Sequence, residues 1–307
     1  MDRRLTVGIR RWSPPVGSVL LYLGLAAVLA YAAMGLVLFV MQPRLVYRPT
    51  RDVAFTPAQR DLPYEDAVFR SCDGVKLAGW YVPAEGARFT VLFCHGNAGN
   101  VMHTMDAASQ FHEMGLNCLV FDYRGYGDSE GTPTEVGTYL DARAAFDWLT
   151  QTKGVPAERI IVCGRSLGGA IAARVAAEVQ PAALALEGAF TSYADIGAHF
   201  YPYMPVRLFA RYRYNTREFV RQVRCPVLVV HSRDDQVVPA VFGDRLFQAA
   251  AEPKQFAEIA GGHTDGFLSS ADQYKEAWTQ WLDFLANRDP DGETSSSSRP
   301  KTTRGSF

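Results

Sequence analysis

The chain has 307 residues, 48% of them hydrophobic and 12% aromatic, and its formal net charge at pH 7 is −1. This composition suits a packed core and not a disordered chain, and the near-zero charge argues against an electrostatic field that would draw the chain onto nucleic acid. The five cysteines show no Cys-x-x-Cys spacing, so we expect neither a disulfide framework nor a zinc site, and no metal or cofactor.

Residues 16–41 form the first predicted element, an apolar helix. They contain no charged side chain, and a helix of this length, at about 1.5 Å per residue, crosses the hydrocarbon core of a bilayer. A cleaved signal peptide is an alternative, since Ala30 and Ala32 could flank a cleavage site, but the apolar sequence continues to Met41 as it does in an anchor. The length and the basic flanks argue against a buried helix of a globular domain. We therefore expect an uncleaved transmembrane anchor.

Basic residues flank the predicted anchor on both sides. Residues 1–15 are a basic segment with four arginines, and three more arginines follow the anchor at positions 44, 48 and 51. The small excess on the N-terminal side favours a cytoplasmic N-terminus, because cytoplasmic flanks are richer in Lys and Arg. We expect a single-pass membrane protein whose larger part lies on the non-cytoplasmic side.

Residues 42–65, rich in Pro, Arg and Thr, are predicted to link the anchor to one folded domain over residues 66–287. Short apolar runs in this domain predict eight strands, at residues 67–71, 76–82, 89–94, 118–123, 160–163, 183–187, 226–231 and 255–259. Helical patterns lie near residues 100–115, 135–151, 167–179, 241–251 and 271–286. A hairpin followed by repeated strand–helix units is typical of an α/β fold, here with a mostly parallel eight-stranded sheet and helices on both faces.

Residues 190–224 break this alternation, because they separate two predicted strands by more than a crossover helix requires. We interpret them as a helical cap insertion, which holds nine Phe or Tyr residues and six Arg residues against Asp195 and Glu218. Two interpretations stay open: a cap that packs its aromatic side chains on the core, or a lid that lines an acyl pocket and touches phospholipid headgroups. The final residues 288–307, with four consecutive serines, are predicted to be a disordered tail.

The strongest chemical motif is Gly164-Arg-Ser166-Leu-Gly168, between a predicted strand and a predicted helix. Such a turn is so tight that the residues flanking the serine must be small, and it exposes the serine hydroxyl at its apex. Gly-x-Ser-x-Gly alone is a weak motif, but a strand before it and a helix after it are the context that it requires. Ser166 is therefore the predicted nucleophile.

A serine hydroxyl needs a general base, and the base needs an acid that orients it. Among six histidines, His263 follows the last predicted strand, and sites in such folds lie at the carboxyl ends of the strands. A nucleophile placed on this kind of turn is followed in the chain first by the acid and then by the base, which also favours His263. The other histidines are expected to have structural or surface roles. The acid should follow the preceding strand, where Asp234 and Asp235 are neighbours that position alone does not separate. Asp244 is a more distant third choice.

Acyl transfer also needs hydrogen-bond donors for the oxyanion, and fixed backbone N–H groups serve this purpose. The N–H of Leu167, directly after the nucleophile, is one predicted donor. The second is expected in the loop after the third strand, where small residues surround Asn97, and we assign it to the Asn97 N–H.

Six motifs together resemble those of the α/β hydrolases, and more narrowly the membrane-anchored serine hydrolases of the bud-emergence and serine-aminopeptidase-like group. The motifs are His95-Gly-Asn-Ala-Gly-Asn100, Asp122-Tyr-Arg-Gly-Tyr-Gly-Asp-Ser129, Gly164-Arg-Ser-Leu-Gly-Gly169, Phe190-Thr-Ser192, Asp235-Gln-Val-Val-Pro239 and Gly261-Gly-His263. The family pattern selects Asp235 over Asp234 as the acid. It also implies metal-independent hydrolysis of an acyl ester, thioester or amide.

The sequence thus predicts a membrane-anchored serine hydrolase that acts on small-molecule or lipid acyl substrates, with Ser166, Asp235 and His263 as catalytic residues. An ester or thioester is favoured over an amide because of the predicted membrane tether and aromatic cap, and a serine peptidase is the alternative. An inactive membrane scaffold is the alternative of another class, and it would lack a catalytic residue. Arg124 and Asp128, within the second motif, are expected to form a supporting internal ion pair.

Overall fold

The computed structural model describes residues 15–288. The predicted basic segment of residues 1–15 and the predicted tail of residues 288–307 lie outside this range, except for Pro15 and Arg288. The chain divides into two compact units, one that ends at Pro43 and one that begins at Arg44.

The predicted apolar segment lies within a 31-residue helix, α1 (Val16–Val46). An 18-residue window of this helix has a mean hydropathy of 2.4, and none of that window is buried in protein. A helix that is apolar around its whole circumference belongs in a protein core or in a bilayer. Within residues 15–288, α1 is the one helix long and apolar enough to cross a membrane.

The unit from Arg44 onward alternates strands and helices. Its strands are β1 (Arg48–Pro49), β2 (Glu65–Arg70), β3 (Lys76–Val82), β4 (Thr90–Cys94), β5 (Ala98–Gly99), β6 (Asn117–Phe121), β7 (Ile160–Arg165), β8 (Ala183–Glu187), β9 (Val227–Ser232) and β10 (Lys254–Ile259). Its helices are α2 (Met105–Glu113), α3 (Glu135–Gln151), α4 (Leu167–Val179), α5 (Tyr193–Phe200), α6 (Val206–Phe209), α7 (Thr216–Val220), α8 (Val241–Ala249), α9 (Gly266–Ser269) and α10 (Ala271–Ala286). Short 3-10 helices lie at Pro57–Arg60, Val101–Thr104 and Ala157–Arg159.

Eight of the strands form one sheet in the order β10-β9-β8-β7-β4-β6-β3-β2. Neighbours from β10 to β6 run parallel, whereas β3 runs antiparallel to both β6 and β2. Every residue of β4, β8 and β9 is buried, which explains why their sequences are continuous apolar runs and not alternating ones. The prediction of a mostly parallel eight-stranded sheet is confirmed.

Helices cover both faces of this sheet. Alternate side chains of a strand point to opposite faces, and Leu92 of β4 belongs to one buried apolar cluster whereas Val91 and Phe93 belong to another. The first cluster includes side chains of α3, α4, α7 and α8, and the second includes side chains of α2, α9 and α10. Because the strands from β10 to β6 run parallel, their carboxyl ends lie at one edge of the sheet, and the loops that follow them lie close together.

The residues that follow α1 pack against the folded domain. Strand β1 pairs in parallel with β5, and the hydroxyl of buried Tyr47 lies 2.7 Å from that of Tyr214. Part of the segment expected to be a linker, residues 42–65, is therefore built into the domain. A pairing of two residues is too short to produce a periodic pattern, so sequence periodicity does not reveal it.

The insertion at residues 190–224 contains the three short helices α5, α6 and α7. Helix α7 packs against α4, and the side chains of Tyr214, Val220 and Val223 are buried in the apolar core. The insertion therefore has a firmly packed base on the sheet-covering helices.

Candidate active site

Ser166 occupies a strained turn between β7 and α4. Its φ and ψ angles are 55° and −120°, a positive-φ conformation that residues other than glycine rarely adopt. A Cβ atom on Gly164 would overlap the carbonyl of Gly168, and a Cβ atom on Gly168 would overlap the carbonyl of Cys94. The close approach of the backbone explains both flanking glycines, and strain of this kind is typical of functional residues.

A chain of two hydrogen bonds connects Ser166 to two residues from distant loops. His263 Nε2 lies 2.9 Å from Ser166 Oγ, and His263 Nδ1 lies 2.6 Å from Asp235 Oδ2. Asp235 follows β9 and His263 follows β10, so the parallel sheet brings the three groups to the same edge. A hydroxyl, an imidazole and a carboxylate in this order can activate the hydroxyl as a nucleophile.

The neighbouring carboxylates Asp234 and Asp235 have different surroundings. Asp235 is 6% exposed and contacts His263. Asp234 is exposed, and its Oδ2 accepts a hydrogen bond from the Gly261 N–H at 3.2 Å. The third candidate, Asp244, lies on α8. Of the three carboxylates, Asp235 is therefore the one that the structure brings to the imidazole.

Asp235 is held as a carboxylate by donors on both of its oxygens. Its Oδ1 accepts hydrogen bonds from the Val237 N–H at 2.9 Å and the Val238 N–H at 2.7 Å, which leaves Oδ2 for His263. Burial by itself would raise the pKa of this carboxyl, but the hydrogen bonds from His263 and from the two N–H groups outweigh burial and lower the pKa below its usual value. At neutral pH the imidazole therefore faces a fixed anion.

The loop after β4 runs past Ser166. A Cβ atom on Gly96 would lie 3.8 Å from Ser166 Cβ, and Asn97 is the next residue. The Asn97 carbonyl accepts hydrogen bonds from the Arg48 N–H at 2.9 Å and from the Tyr126 hydroxyl at 2.8 Å. These two contacts hold the Asn97 residue of the loop in place, and one of them comes from β1.

The N–H groups of Asn97 and Leu167, the two predicted oxyanion donors, have no acceptor among residues 15–288. Leu167 is the first residue of α4, and the first N–H groups of a helix have no partner within it. The positive end of the helix dipole adds to the field at this point. Both N–H groups can therefore donate to an oxygen of a bound molecule.

Two buried titratable groups, His95 and Asp122, directly follow the strands β4 and β6. Burial lowers the pKa of His95 to about 4 and raises the pKa of Asp122 to about 8, so at neutral pH the imidazole is neutral and most of the carboxyl is protonated. The Asp122 Oδ1 atom accepts a hydrogen bond from the Val101 N–H at 2.7 Å.

Residues 15–288 contain no group of three His, Cys, Asp or Glu side chains that could hold a metal ion.

The expected ion pair between Arg124 and Asp128 is wrong. The Arg124 guanidinium lies 2.8 Å from Asp141 on α3 and 2.7 Å from Asp73 in the β2–β3 turn, and Asp128 is exposed. Neighbours in sequence were the natural candidates, but folding brings two carboxylates from distant segments to the guanidinium. Arg124 therefore joins three segments that support the site and does not contact Ser166, His263 or Asp235.

A buried ion pair beside the nucleophile was not predicted. Glu187, at the end of β8, is fully buried, and its Oε2 lies 2.8 Å from Nη2 and 2.9 Å from Nε of Arg165. Its Oε1 accepts a hydrogen bond from the Tyr274 hydroxyl at 2.6 Å, and its backbone carbonyl accepts the Ser166 N–H at 2.8 Å. The signal in the sequence was a carboxylate closing a fully apolar run, because a buried charge requires a partner.

This ion pair also reaches the segment that carries His263. The guanidinium carbon of Arg165 lies 3.9 Å from the centre of the Phe267 ring, on the short helix that begins three residues after His263. Next to Glu187, Gly188 has a φ of 54°, and a Cβ atom there would lie 3.4 Å from His263 Cε1. Residue 187 thus contacts the serine turn, and residue 188 leaves little space beside the imidazole.

Replacement of Glu187 by glutamine is expected to destabilise the folded domain by about 3 kcal/mol, because it leaves the Arg165 cation, whose side chain is only 19% exposed, without a counter-charge. Denaturant unfolding of the full-length protein in detergent, followed by tryptophan fluorescence, measures the change. The matched control is Asp147→Asn, which breaks the exposed pair with Arg143 and should cost less than about 1 kcal/mol. Equal losses in the free energy of unfolding for the two substitutions would show that the Glu187–Arg165 pair stabilises the domain no more than an exposed pair does.

Sequence comparison finds a family and relatives over most of the chain. The family described as serine aminopeptidase, S33, matches residues 85–216. The uncharacterized protein Rv2307c of Mycobacterium tuberculosis is 41% identical over 253 residues, which cover 79% of this chain and 88% of the relative. The protein bem46 of Schizosaccharomyces pombe is 31% identical over 242 residues, which cover 74% of this chain and 81% of the relative.

Solved structures share the arrangement of sheet and helices. The esterase Pf2001 of Pyrococcus furiosus matches with a TM-score of 0.65 over 78% of this chain and 98% of that chain, at 23% sequence identity. Similarity at this level of identity concerns the fold alone.

Proposed function

The chain belongs to the serine aminopeptidase-like S33 family of α/β hydrolases, together with its relative bem46, and from this premise we propose that it cleaves acyl esters or thioesters through Ser166. The resemblance inferred from six sequence motifs is confirmed by the family match, and the fold is that of the α/β hydrolases. The observation that carries the proposal is the row of hydrogen bonds from Ser166 to His263 at 2.9 Å and from His263 to Asp235 at 2.6 Å.

In the proposed reaction, Ser166 Oγ attacks the acyl carbonyl while His263 Nε2 takes the hydroxyl proton. Asp235 keeps the proton on Nδ1 and stabilises the imidazolium that forms. His263 then gives its proton to the leaving alcohol or thiol, and the acyl group remains on Ser166. Water, deprotonated by the same imidazole, attacks this acyl-enzyme, releases the acid and restores the serine.

The N–H groups of Asn97 and Leu167 are proposed to hold the oxyanion of each tetrahedral intermediate. Two features support this role: both groups lack an acceptor among residues 15–288, and the Asn97 carbonyl is held by two hydrogen bonds. A donor that is fixed before the negative charge develops is worth about 3–4 kcal/mol of transition-state stabilisation. The side chains of the two residues take no part in this role.

An ester or thioester is proposed in preference to an amide because of the segments that surround the catalytic unit in the chain. A helix able to cross a membrane precedes it, and an insertion with nine Phe or Tyr residues interrupts it, as suits an acyl chain that partitions into lipid. The family description, serine aminopeptidase, favours the amide of a peptide as the alternative.

A substrate series separates these possibilities. The full-length protein in detergent is expected to cleave p-nitrophenyl esters, with rates that rise as the acyl chain lengthens from acetyl, because a longer chain buries more apolar area. Aminoacyl p-nitroanilides should not be cleaved, and the Ser166→Ala protein sets the background. Cleavage confined to the anilides would make the protein a peptidase. No cleavage of either class, with no labelling by a fluorophosphonate, would favour an inactive scaffold.

We propose that α1 anchors the chain in a membrane, with the N-terminus on the cytoplasmic side. The unburied apolar window of mean hydropathy 2.4 supports the anchor, and the four arginines before it against three after it support the orientation. A residue at the middle of the helix, such as Leu29, would then lie in the hydrocarbon core.

A further inference from the structure

The insertion exposes a cluster of large apolar side chains in residues 200–211, which we name the cap tip. Their exposed fractions are 49% for Phe200, 49% for Tyr201, 91% for Tyr203, 82% for Leu208 and 52% for Phe209. Five such residues within ten positions are unusual in a water-facing surface, because soluble proteins rarely expose a contiguous apolar patch without a function for it.

Elsewhere in the described part of the folded domain, exposed large apolar residues are scattered. After α1 they are Phe55, Val68, Val136, Val237, Val241 and Leu268. Single exposed apolar side chains need no explanation. The cap tip is therefore distinguished by concentration and by the size of its side chains.

The cap tip combines these apolar groups with positive charge. Residues 200–211 contain two arginines, at positions 207 and 211, and no Asp or Glu. Arg207 has a 72% exposed side chain although it lies 3.0 Å from Asp195. Tyrosine and arginine beside aliphatic side chains are the composition of segments that lie in the headgroup region of a bilayer and prefer anionic lipid.

The exposure of the tip is not a consequence of a loosely held insertion, because its base is well packed. The Glu135 carboxylate accepts hydrogen bonds from the Arg213 N–H at 2.7 Å and the Tyr214 N–H at 2.8 Å. The Tyr214 hydroxyl lies 3.1 Å from the Thr138 hydroxyl. At the start of α5, the Ser192 hydroxyl accepts the Asp195 N–H at 3.0 Å. The tip is thus presented on a fixed support.

The insertion contacts an element that borders the candidate active site. The ring of His199, at the end of α5, is 6.0 Å from the ring of Phe242 in α8, the helix that follows the Asp235 loop. The exposed residues Val237 and Val241 belong to that same loop and helix. Exposed apolar side chains therefore occur both on the tip and on the loop and helix that follow β9, the strand that precedes Asp235.

We propose that the cap tip is a docking surface for an anionic lipid bilayer, and that acyl substrates reach Ser166 from that bilayer. The docking itself rests on the exposed apolar and arginine side chains, and only the delivery of substrate rests on the proposed function. The apolar side chains enter the acyl boundary, and the arginines lie against lipid phosphates and carboxylates. Neutral lipid satisfies only the first of these contacts, so docking is weaker there.

Nitroxide labels on the full-length protein in nanodiscs test the docking. In a Cys72→Ser background, which removes an exposed thiol, separate cysteines replace Leu208 in the tip, Val68 on β2 and Leu29 in α1. The comparison of relaxation by molecular oxygen with relaxation by a water-soluble nickel complex reports depth. Val68 is the matched control because it is also an exposed aliphatic residue, 53% against 82% for Leu208.

In nanodiscs with one third phosphatidylserine, we expect oxygen to dominate at position 208 and the nickel complex to dominate at position 68. The oxygen preference at position 208 should fall in pure phosphatidylcholine and in an Arg207→Gln, Arg211→Gln protein. Equal nickel access at positions 208 and 68 in the anionic lipid would overturn the proposal. Shielding of position 208 from both reagents would also overturn it, since that pattern marks a protein contact. The label at Leu29 tests the anchor separately.

Hydrolysis then tests the delivery of substrate. A Leu208→Ser, Phe209→Ser protein is expected to lose most hydrolysis of a long-chain ester carried in anionic nanodiscs and to keep its rate on soluble p-nitrophenyl acetate. Equal rates on the bilayer-borne ester for this variant and the wild type would overturn delivery from the tip. A docked label at position 208 in a protein that cleaves no ester would leave the docking intact and refute the proposed function.

Discussion

Replacement of Ser166 by alanine is expected to lower kcat for ester hydrolysis by roughly 10⁵- to 10⁶-fold, because the nucleophile and its base act as a unit and lose their effect together. Labelling by a fluorophosphonate should disappear as well. The fold should be retained, since alanine occupies the same positive-φ position with the same Cβ atom and no new contact. Steady-state kinetics on p-nitrophenyl esters and gel-based labelling measure the two effects.

The matched control for this substitution is Ser109→Ala on α2. Ser109 is a partly buried serine outside the site, and its replacement should leave both labelling and kcat within about twofold of the wild type, as is usual for substitutions away from a site. Persistent labelling of the Ser166→Ala protein would remove Ser166 from the mechanism. A parallel loss in both variants, with altered circular dichroism, would trace the effect to folding.

Replacement of Asp235 by asparagine is expected to lower kcat by about 10⁴-fold while the geometry of the site persists. The N–H groups of Val237 and Val238 donate to Oδ1, so the amide oxygen must stay there and the amide NH₂ must face His263 Nδ1. An NH₂ group at that position requires an unprotonated Nδ1, which places the imidazole proton on Nε2. His263 then has no lone pair to accept the proton of Ser166.

The neighbouring substitution Asp234→Asn is the control for the tautomer argument. An asparagine oxygen can still accept the Gly261 N–H that Asp234 accepts at 3.2 Å, so kcat should change by less than about threefold, as expected for a surface position. The kcat values of the Asp234→Asn and Asp235→Asn proteins are measured on the same ester. A large loss in Asp234→Asn with little change in Asp235→Asn would assign the orienting acid to Asp234 and contradict the structure-based choice.

Much of the fold could be predicted from local patterns. The apolar runs of β4, β8 and β9 indicated strands buried on both faces, and each is buried at every residue. The turn around Ser166 was predictable because its glycines, its preceding strand and its following helix are contiguous in the chain. His263 and the Asp234–Asp235 pair could be placed near it because the carboxyl ends of parallel strands share one edge.

Other features depended on contacts between distant residues. The partners of Arg124 are Asp141 and Asp73, which lie 17 positions after it and 51 positions before it in the chain. The Glu187 carboxylate contacts a residue 22 positions before it and another 87 positions after it. No local pattern records such pairs, because each partner by itself resembles an ordinary charged or aromatic residue.

The sequence by itself determined the succession along the chain of the eight strands of the main sheet and of the longer helices, the apolar helix, the nucleophile turn and the candidate acids and bases. All of these follow from local periodicity and from short motifs. Only the tertiary structure decided that Asp235 faces His263 and Asp234 faces Gly261. It also decided that Glu187 joins the serine turn to α10 through Tyr274. The physical reason is that the surroundings of a side chain, and hence its charge state and hydrogen-bond partners, are set by segments that meet only when the sheet has formed.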